Sequence, residues 1–296
     1  MSGELPQTEA ADPATTAIDA LDSAALARTL AAAHGAAVDA AVAAAPAIAR
    51  AIDAMEAAIR AGRRVYYVGA GSSGRLAVLD AAEIPPTFGV AHDLVHAAIA
   101  GGDVALRRAV EGAEDDAEAG KRSVAPVVEG DMVVGISASG GAAFVRAALR
   151  AARERGAVTV AVVNSAGTAL AAEADIAIRL ETGAEPIAGS TRLKAGTAQK
   201  IALNTMSTGV MIRLGKTYRN RMVDLVPGSA KLRARAERLV RELAGDGGAD
   251  AAALLAQAGG KVKTAVVMAR LGCDRAAAET RLAGANGRLA AIIDAT

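Results

Sequence analysis

The chain has 296 residues, and its 33 Lys and Arg side chains nearly balance its 32 Asp and Glu side chains. Aromatic residues make up only 2% of the chain and no basic stripe is interleaved with them, so we expect no nucleic-acid partner. The single cysteine, Cys273, excludes an intrachain disulfide and a multi-cysteine metal site. Because neither a membrane-spanning apolar run nor a secretory signal stands out, the sequence predicts a cytoplasmic protein with no membrane partner.

The N-terminal part of the chain is rich in helix-forming residues. Residues 1 to about 16 are polar and contain two prolines, and we predict that they are unstructured. Between residues 16 and 61, apolar side chains recur at spacings of three, four and seven, which is typical of amphipathic helices. We predict two or three helices, with breaks near His34-Gly35 and at Pro46.

The stretch from residue 65 to residue 89 organises the rest of the chain. Residues 65–68 are β-branched or aromatic and indicate a buried strand, whereas residues 75–82 have helical spacing. The turn between them consists mainly of glycine and serine, and it directs backbone N–H groups and the positive end of a helix at one spot. Such a spot favours an anion, most often a phosphate. The predicted donors are Gly71, Ser72 and Ser73.

A dinucleotide is a weaker interpretation of the same turn. Gly69, Gly71 and Gly74 have the G-x-G-x-x-G spacing, but that fingerprint needs an acidic residue at the end of the second strand. Asp93 stands instead at the start of the next apolar run, and the lysine–serine pair of a P-loop is missing. A phosphorylated small molecule is therefore favoured, and an ordinary turn that binds nothing is the alternative.

Apolar runs and helical patterns alternate after the first strand, which is typical of a parallel sheet with helices on both faces. We predict helices over residues 103–120 and 144–154. The sequence therefore predicts an α/β fold with a five-stranded parallel sheet. Its four further strands are predicted at residues 94–100, 131–136, 158–164 and 175–180.

The third strand ends in the same kind of turn as the first. Ser137, Ser139 and Gly140 place small hydroxyl residues where a strand opens into a helix. Ligands of such sheets bind outside the carboxyl ends of the strands, so two neighbouring turns of this kind can converge on one phosphate. This repetition strengthens the prediction of a phosphate site.

The segment from residue 181 to residue 200 carries further candidates. Ser190 or Thr191 is predicted to cap a helix that continues to about Arg213. Its first turns hold cations, which the helix dipole disfavours there, so they are candidates for binding an anion or a carboxylate. A solvated helix face is the alternative. The candidate substrate-binding residues are Glu185, Ser190, Arg192 and Lys194.

The last part of the chain has the pattern of a small helical module. Residues 231–241 form a charged amphipathic helix, residues 245–248 a linker, and residues 250–296 three or four helices, one of them capped by Asp274. We therefore predict three regions. They are an N-terminal helical segment at residues 1–60, a phosphate-binding α/β domain at residues 61–226 and a C-terminal helical module at residues 227–296.

Four runs of sequence resemble the sugar isomerase (SIS) domain proteins, and within them the bacterial N-acetylmuramic acid 6-phosphate etherases. They are GAGSSGRLAVLDAAEIPPTFG, IAGGDVALRRAVEGAEDDAEAG, VVGISASGGAAFVRAAL and ETGAEPIAGSTRLKAGTAQKIALNTMSTGVMIRLGKTYRNRMVDL. With terminal helices of matching length, the resemblance covers nearly the whole chain.

The resemblance implies a lyase that converts N-acetylmuramic acid 6-phosphate into N-acetylglucosamine 6-phosphate and D-lactate during cell-wall recycling, without a metal or other cofactor. It places the family's acid/base residue on Glu83 and its second active-site carboxylate on Glu114. Two further interpretations stay open. One is a regulatory SIS protein that senses sugar phosphates, and the other is an aldose–ketose sugar-phosphate isomerase.

The chain departs from the family pattern at three places. Gly141-Ala142-Ala143 stands where the family usually has Arg-Thr-Pro, Ile84 replaces a frequent Cys, and Pro227-Gly228-Ser229 replaces a polar turn. The first of these lies beside the predicted phosphate turn. Phosphate affinity or substrate preference is therefore the property that it is expected to change.

The spacing of the two glutamates along the chain favours a homodimer. Glu83 follows the phosphate-binding helix start by about ten residues, or roughly 15 Å of helix, and Glu114 is predicted about three turns into its own helix. A hexose phosphate is much shorter than that between its phosphate and C2. We therefore expect an active site shared between two subunits, in which at least one glutamate reaches a phosphate held by the other chain.

Overall fold

The computed structural model describes residues 7–225, 230–245 and 250–294. The chain divides into two compact units, the first formed by Met1–Ala81 and Asp93–Ser207, and the second by Ala82–His92 and Thr208–Thr296. The Pro227-Gly228-Ser229 departure and most of the linker predicted at residues 245–248 lie outside the described residues. The division at residues 60 and 226 stays a prediction.

The first unit is built on a five-stranded parallel sheet, as the sequence predicts. Its strands are short apolar runs, and those of β1 and β3 are buried along their whole length, as in sheets covered on both faces. In sequence order they are β1 (Val65–Gly69), β2 (Val95–Ile99), β3 (Met132–Ile136), β4 (Val158–Val163) and β5 (Ile176–Arg179).

The strand order is β2-β1-β3-β4-β5. After β1 the chain adds β2 on one side of it and then β3, β4 and β5 on the other side, so the strand order switches between β1 and β3. At the carboxyl ends of these two strands, Gly69 lies opposite Ile136. The loops that leave β1 and β3 therefore part to opposite faces of the sheet. Ligands of open α/β sheets bind in the crevice at such a point.

Nine α-helices of the described residues begin in the first unit, and two of them, α4 and α9, continue into the second. The breaks predicted at His34-Gly35 and Pro46 are confirmed, because α1 ends at Ala33 and α3 begins at Ala45. The helices are α1 (Ser23–Ala33), α2 (Gly35–Ala43), α3 (Ala45–Arg60), α4 (Gly71–Phe88), α5 (Val104–Arg107), α6 (Ala117–Ser123), α7 (Ala143–Glu154), α8 (Ala169–Glu173) and α9 (Lys194–Arg213).

The prediction that the first 16 residues are unstructured is wrong for those that the structure describes. Gln7–Glu9 and Pro13–Thr15 form short 3₁₀ helices, and Thr8 is fully buried. Asp12 caps the second of them by accepting a hydrogen bond from the backbone N–H of Ala14. Tertiary contacts, which composition does not reveal, order a segment that is polar and rich in helix-breaking residues.

The helix predicted over residues 103–120 is also wrong, because the chain breaks it twice. It forms α5, then the 3₁₀ helix Ala113–Asp115, then α6. Arg108 is extended and Gly112 has a φ of 71°, and neither conformation continues a helix. Asp116 then starts α6 by accepting a hydrogen bond from the N–H of Ala119.

The second unit contains a helical cluster and a two-stranded antiparallel ribbon. The ribbon strands are β6 (Thr217–Tyr218) and β7 (Arg221–Met222), and the helices are α10 (Ala230–Leu243), α11 (Ala251–Gln257), α12 (Val262–Leu271), α13 (Arg275–Gly284) and α14 (Ala290–Ile293). The predicted cap is confirmed, because Asp274 accepts a hydrogen bond from the backbone N–H of Ala277.

No single described helix has both the length and the hydropathy of a membrane span. The bent pair Ser23–Ala43 and Ala45–Arg60 in the first unit has them only when the two helices are taken together.

A buried lysine fixes the middle of this second unit. The Lys263 ammonium donates to the carbonyl oxygens of Gly215 and Gly287 and pairs with Asp224 at 2.7 Å. Burial lowers the pKa of Lys263, and Asp224 acts in the opposite direction. The side chain therefore joins three separate loops of the unit through one cation.

Candidate functional site

A cleft of about 270 Å³ lies in the first unit at the carboxyl ends of β1 and β3. Five of the predicted site residues, Gly71, Ser72, Ser73, Ser137 and Ser139, line it together with Glu114. The two serine turns therefore converge, as their positions after neighbouring strands predict. The other lining residues are Glu9, Ala70, Ile136, Ala138, Ala142, Gly189 and Thr191.

The first wall of the cleft is the beginning of α4. The helix starts at Gly71, and the first intrahelical bond runs from the N–H of Gly74 to the carbonyl of Ala70. Helix geometry leaves the N–H groups of the preceding residues without an intrahelical acceptor, and the dipole makes this end positive. A glycine is required at residue 74, because a Cβ there would lie 2.8 Å from the carbonyl oxygen of Gly69.

The second wall is the turn from β3 into α7. The N–H of Gly141 donates to the Ser139 hydroxyl at 3.3 Å, and Gly140 adopts a φ of 67° in the turn. Ala142 stands at the N-cap position, and no side chain caps the helix there. The first N–H groups of a helix lack intrahelical acceptors, so those of α7 are available as donors to a ligand. The Gly141-Ala142-Ala143 departure thus leaves a second positive helix end beside the cleft.

Among the residues that the structure describes, no lysine or arginine lines the cleft. The donors available to an anion are therefore serine hydroxyls, a threonine hydroxyl and backbone N–H groups, supported by helix dipoles. Such donors suit a phosphate group. Within the described residues, no group of three His, Cys, Asp or Glu side chains is arranged to hold a metal ion.

Glu114 lies in the cleft because the predicted long helix does not form. It belongs to the 3₁₀ helix Ala113–Asp115, its side chain is exposed, and it faces the same space as the serine turns. The prediction that Glu114 lies about three turns into its own helix is therefore wrong. The structure brings this glutamate and the serines together within one chain.

Glu83 is exposed on α4 and belongs to the second unit. It is not among the residues that line the cleft described above. Its assignment as the acid/base residue therefore stays a prediction from the family resemblance.

Glu185 is not placed to bind substrate. Its side chain is fully buried, and its carboxylate accepts hydrogen bonds of 2.9 Å from the backbone N–H groups of both Lys194 and Ala195. The glutamate thus caps α9 from nine residues upstream. The predicted cap at Ser190 or Thr191 is wrong for the same reason, because these residues form the turn that precedes the helix.

Four other predicted residues also lie outside the cleft lining. Arg192 is exposed, Lys194 is buried at the start of α9, and Ser190 is half-buried in the preceding turn. Gly140 packs against Thr168, and a Cβ at this position would lie 2.5 Å from the Thr168 Cβ. The assignment of these four residues to substrate binding stays a prediction.

A buried polar cluster holds α4 against α9 inside the first unit. Asp80 accepts hydrogen bonds from the Asn204 amide at 2.6 Å and from the Ser207 hydroxyl at 3.1 Å. Burial raises the pKa of Asp80, whereas the hydrogen bonds from Asn204 and Ser207 lower it. Burial likewise raises the pKa of the neighbouring Tyr67 well above its usual value. The cluster fixes the helix whose first turn forms the cleft.

Sequence reasoning missed Glu9 and Gly189, and it took Thr191 for a helix cap. Glu9 stands in a segment that appeared unstructured, and the hydrogen bond from the N–H of Gly189 to the carbonyl of Thr8 helps to hold that segment at the cleft. No local pattern marks that contact, since the two partners are far apart in sequence. An alignment of the N-terminal segment with related sequences could have identified Glu9 as a site residue.

Comparison with known proteins supports the same fold. The model of the glucokinase regulatory protein N-terminal SIS domain matches residues 47–153, and that of the SIS domain matches residues 107–208. The solved structure of the c3406 protein of Escherichia coli CFT073 superposes with a TM-score of 0.50 at 18% identity. It covers 67% of this chain and 96% of that one. At this identity the likeness shows the fold alone.

Two curated relatives are far more similar in sequence. Proteins of Salmonella typhimurium and Salmonella paratyphi A, each named N-acetylmuramic acid 6-phosphate etherase, are 50% identical to this chain over 245 residues. The aligned part covers 82% of this chain and 82% of each relative. A relative from Salmonella typhi with the same name is 49% identical over the same length.

Proposed function

Since the chain belongs to the N-acetylmuramic acid 6-phosphate etherase family, we propose that it cleaves the D-lactyl ether of that sugar phosphate. The products are N-acetylglucosamine 6-phosphate and D-lactate, and the reaction recycles peptidoglycan in the cytoplasm. The observation that carries the proposal is the cleft in which two serine turns and a glutamate meet.

The phosphate binds to the serine turns. The start of α4 offers backbone N–H groups together with Ser72 and Ser73, and the β3–α7 turn adds Ser137 and Ser139. Helix N-termini bind phosphate because their dipoles and free N–H groups both favour negative charge. The sugar then extends from this anchor toward Glu114 in the same cleft.

The carboxylates supply acid and base to an elimination. Opening of the sugar ring gives a C1 aldehyde, which acidifies the hydrogen at C2. Glu114 removes that hydrogen, and Glu83 protonates the lactate oxygen as its bond to C3 breaks. Water then adds to the resulting enal at C3, with Glu83 as the candidate base that takes the proton of the water, and the protonated Glu114 returns a proton to C2. The two protons that move are thus handled by two separate groups.

We assign Glu83 to the active site of a partner subunit in a homodimer. Glu114 and the serine turns line one cleft of one chain, which supports a site whose first carboxylate and phosphate donors come from the same subunit. Glu83 follows the serine turn by about ten residues of α4, or roughly 15 Å, which exceeds the distance from phosphate to C2 in a hexose phosphate. A second copy of the chain supplies the missing acid in this arrangement.

A lactate assay on the purified protein tests the activity and separates it from the alternatives. Incubation with N-acetylmuramic acid 6-phosphate is expected to release D-lactate, which neither a sugar-phosphate sensor nor an aldose–ketose isomerase produces. An inactive protein that binds the sugar phosphate tightly would support the sensor. A ketose product would support the isomerase.

Substitution of the two glutamates tests their roles. Glu83→Gln and Glu114→Gln are each expected to lower kcat at least about a hundredfold, because each removes a proton-transferring group, while substrate binding changes by less than about tenfold. The matched control is Glu118→Gln, an exposed glutamate paired with Lys121 on α6. Wild-type turnover in either active-site variant would contradict its assigned role.

A further inference from the structure

The N-terminal segment of this chain forms part of the cleft wall. The N–H of Gly189 donates to the carbonyl of Thr8 at 3.0 Å, and the Thr15 hydroxyl donates to the carbonyl of Pro186 at 2.9 Å. Thr8 is fully buried at this contact. The 3₁₀ helix Gln7–Glu9 is therefore held on the loop that precedes α9, and Glu9 has a defined position.

The Glu9 side chain lines the cleft beside the serine turns. The backbone of the opposing loop leaves room for it, because Gly189 has a φ of 74° and a Cβ there would lie 2.9 Å from Glu9 Oε2. An L-residue at position 189 would be strained by that conformation and would also crowd the carboxylate. The glycine thus permits the close approach of Glu9.

The presence of a carboxylate next to a phosphate-binding turn needs a physical explanation, because like charges repel each other. Ionised glutamate offers only acceptors, so it repels a phosphate dianion and attracts hydrogen-bond donors. The groups next to the phosphate on an open-chain amino sugar are neutral hydroxyls, which are donors. A glutamate at this position therefore favours a phosphate that carries a polyhydroxyl chain over a bare phosphate ion.

We propose that Glu9 is a substrate-binding residue that accepts hydrogen bonds from the sugar hydroxyls next to the phosphate. It acts as a specificity determinant by weakening the binding of phosphate ions without a sugar. It also orients the chain of carbon atoms toward Glu114, which lines the same cleft. The identity of the sugar rests on the proposed function, whereas the contrast between sugar phosphate and bare phosphate does not.

Direct calorimetric titration tests the proposal independently of turnover. Wild type, Glu9→Gln and Glu9→Ala are titrated with N-acetylglucosamine 6-phosphate and, separately, with inorganic phosphate. We expect Kd for the sugar phosphate to rise about tenfold in both variants, because a charge-assisted hydrogen bond is lost. Kd for inorganic phosphate is expected to stay constant or fall, because the repulsion is removed.

The control is Asp19→Asn, which neutralises an exposed carboxylate in the nearby 3₁₀ helix Ile18–Ala20 and should bind both ligands like wild type. Equal weakening of both ligands in the Glu9 variants would overturn the proposal, because it would indicate local unfolding. Unchanged binding of both ligands would overturn it as well. A wild-type protein that binds the sugar phosphate but releases no lactate would refute the proposed function alone.

Discussion

At the scale of single residues, the buried glutamate at position 185 shows how one side chain sets the position of a helix. Its carboxylate accepts hydrogen bonds from two of the first N–H groups of α9, which have no acceptor within the helix. Since the side chain is fully buried, water cannot replace those bonds. The side chain therefore stabilises the loop that contains Gly189 and Thr191 as well as α9 itself.

Replacement of this capping side chain should lower the free energy of unfolding and leave the catalytic steps unchanged. Glu185→Gln turns one acceptor into a donor that faces an N–H group, so the free energy of unfolding should fall by about 2 kcal/mol. Urea unfolding measures the change, and Glu181→Gln, which alters an exposed glutamate four residues away, serves as the control. Full stability of the Glu185 variant would show that the cap is not needed.

The residues of the cleft differ in how far sequence predicts them. Ser72, Ser73, Ser137 and Ser139 were predictable because each lies within about four residues of the end of its strand, so local order alone places the hydroxyl near the carboxyl edge of the sheet. The role of Glu185 was not, because a carboxylate before a helix has the same local pattern whether it faces a ligand or a backbone N–H group.

At the scale of elements, the contact between α6 and α7 is unusually close. A Cβ at Gly120 would lie 2.1 Å from the carbonyl oxygen of Phe144, so the two helices touch through backbone. The 3₁₀ helix that carries Glu114 directly precedes α6. The position of this glutamate therefore depends on the packing of α6 as well as on its own turn.

A methyl group at that contact should disturb both stability and activity. Gly120→Ala is expected to lower the free energy of unfolding by about 2 kcal/mol, because the helices must separate to accept it. Gly284→Ala places the same methyl group in α13 with no atom within 4 Å and should be neutral or slightly stabilising. Thermal unfolding compares the two, and equal melting temperatures would contradict the close packing.

Elements were predictable where the pattern was long and regular. The sheet strands and the breaks in the N-terminal helices follow from apolar runs and from single glycine or proline residues. The single helix predicted over residues 103–120 was wrong because their composition suits a helix. In the structure the extended Arg108 and the left-handed Gly112 divide this segment. Both backbone conformations are set by the surrounding fold, so they cannot be predicted from the spacing of apolar residues along the sequence.

At the scale of the whole molecule, the proposed dimer makes a test with two inactive chains possible. One chain carries Glu83→Ala and the other carries Ser72→Ala with Ser139→Ala. In a symmetric dimer with shared sites, each mixed dimer has one site without any substitution, so random pairing should restore about a quarter of the activity. Lactate release after joint refolding measures it. No recovery would show that each site is built within one chain.

The switch in strand order has a consequence for how the chain is made. Ser72 and Ser137 flank the cleft from strands that are neighbours in the sheet, but β2 and the helices α4, α5 and α6 separate them along the chain. During synthesis the first serine turn therefore leaves the ribosome long before its counterpart. Phosphate can be bound by both serine turns only after β3 has paired with β1. A nascent or truncated chain that ends before β3 therefore carries only one of the two turns.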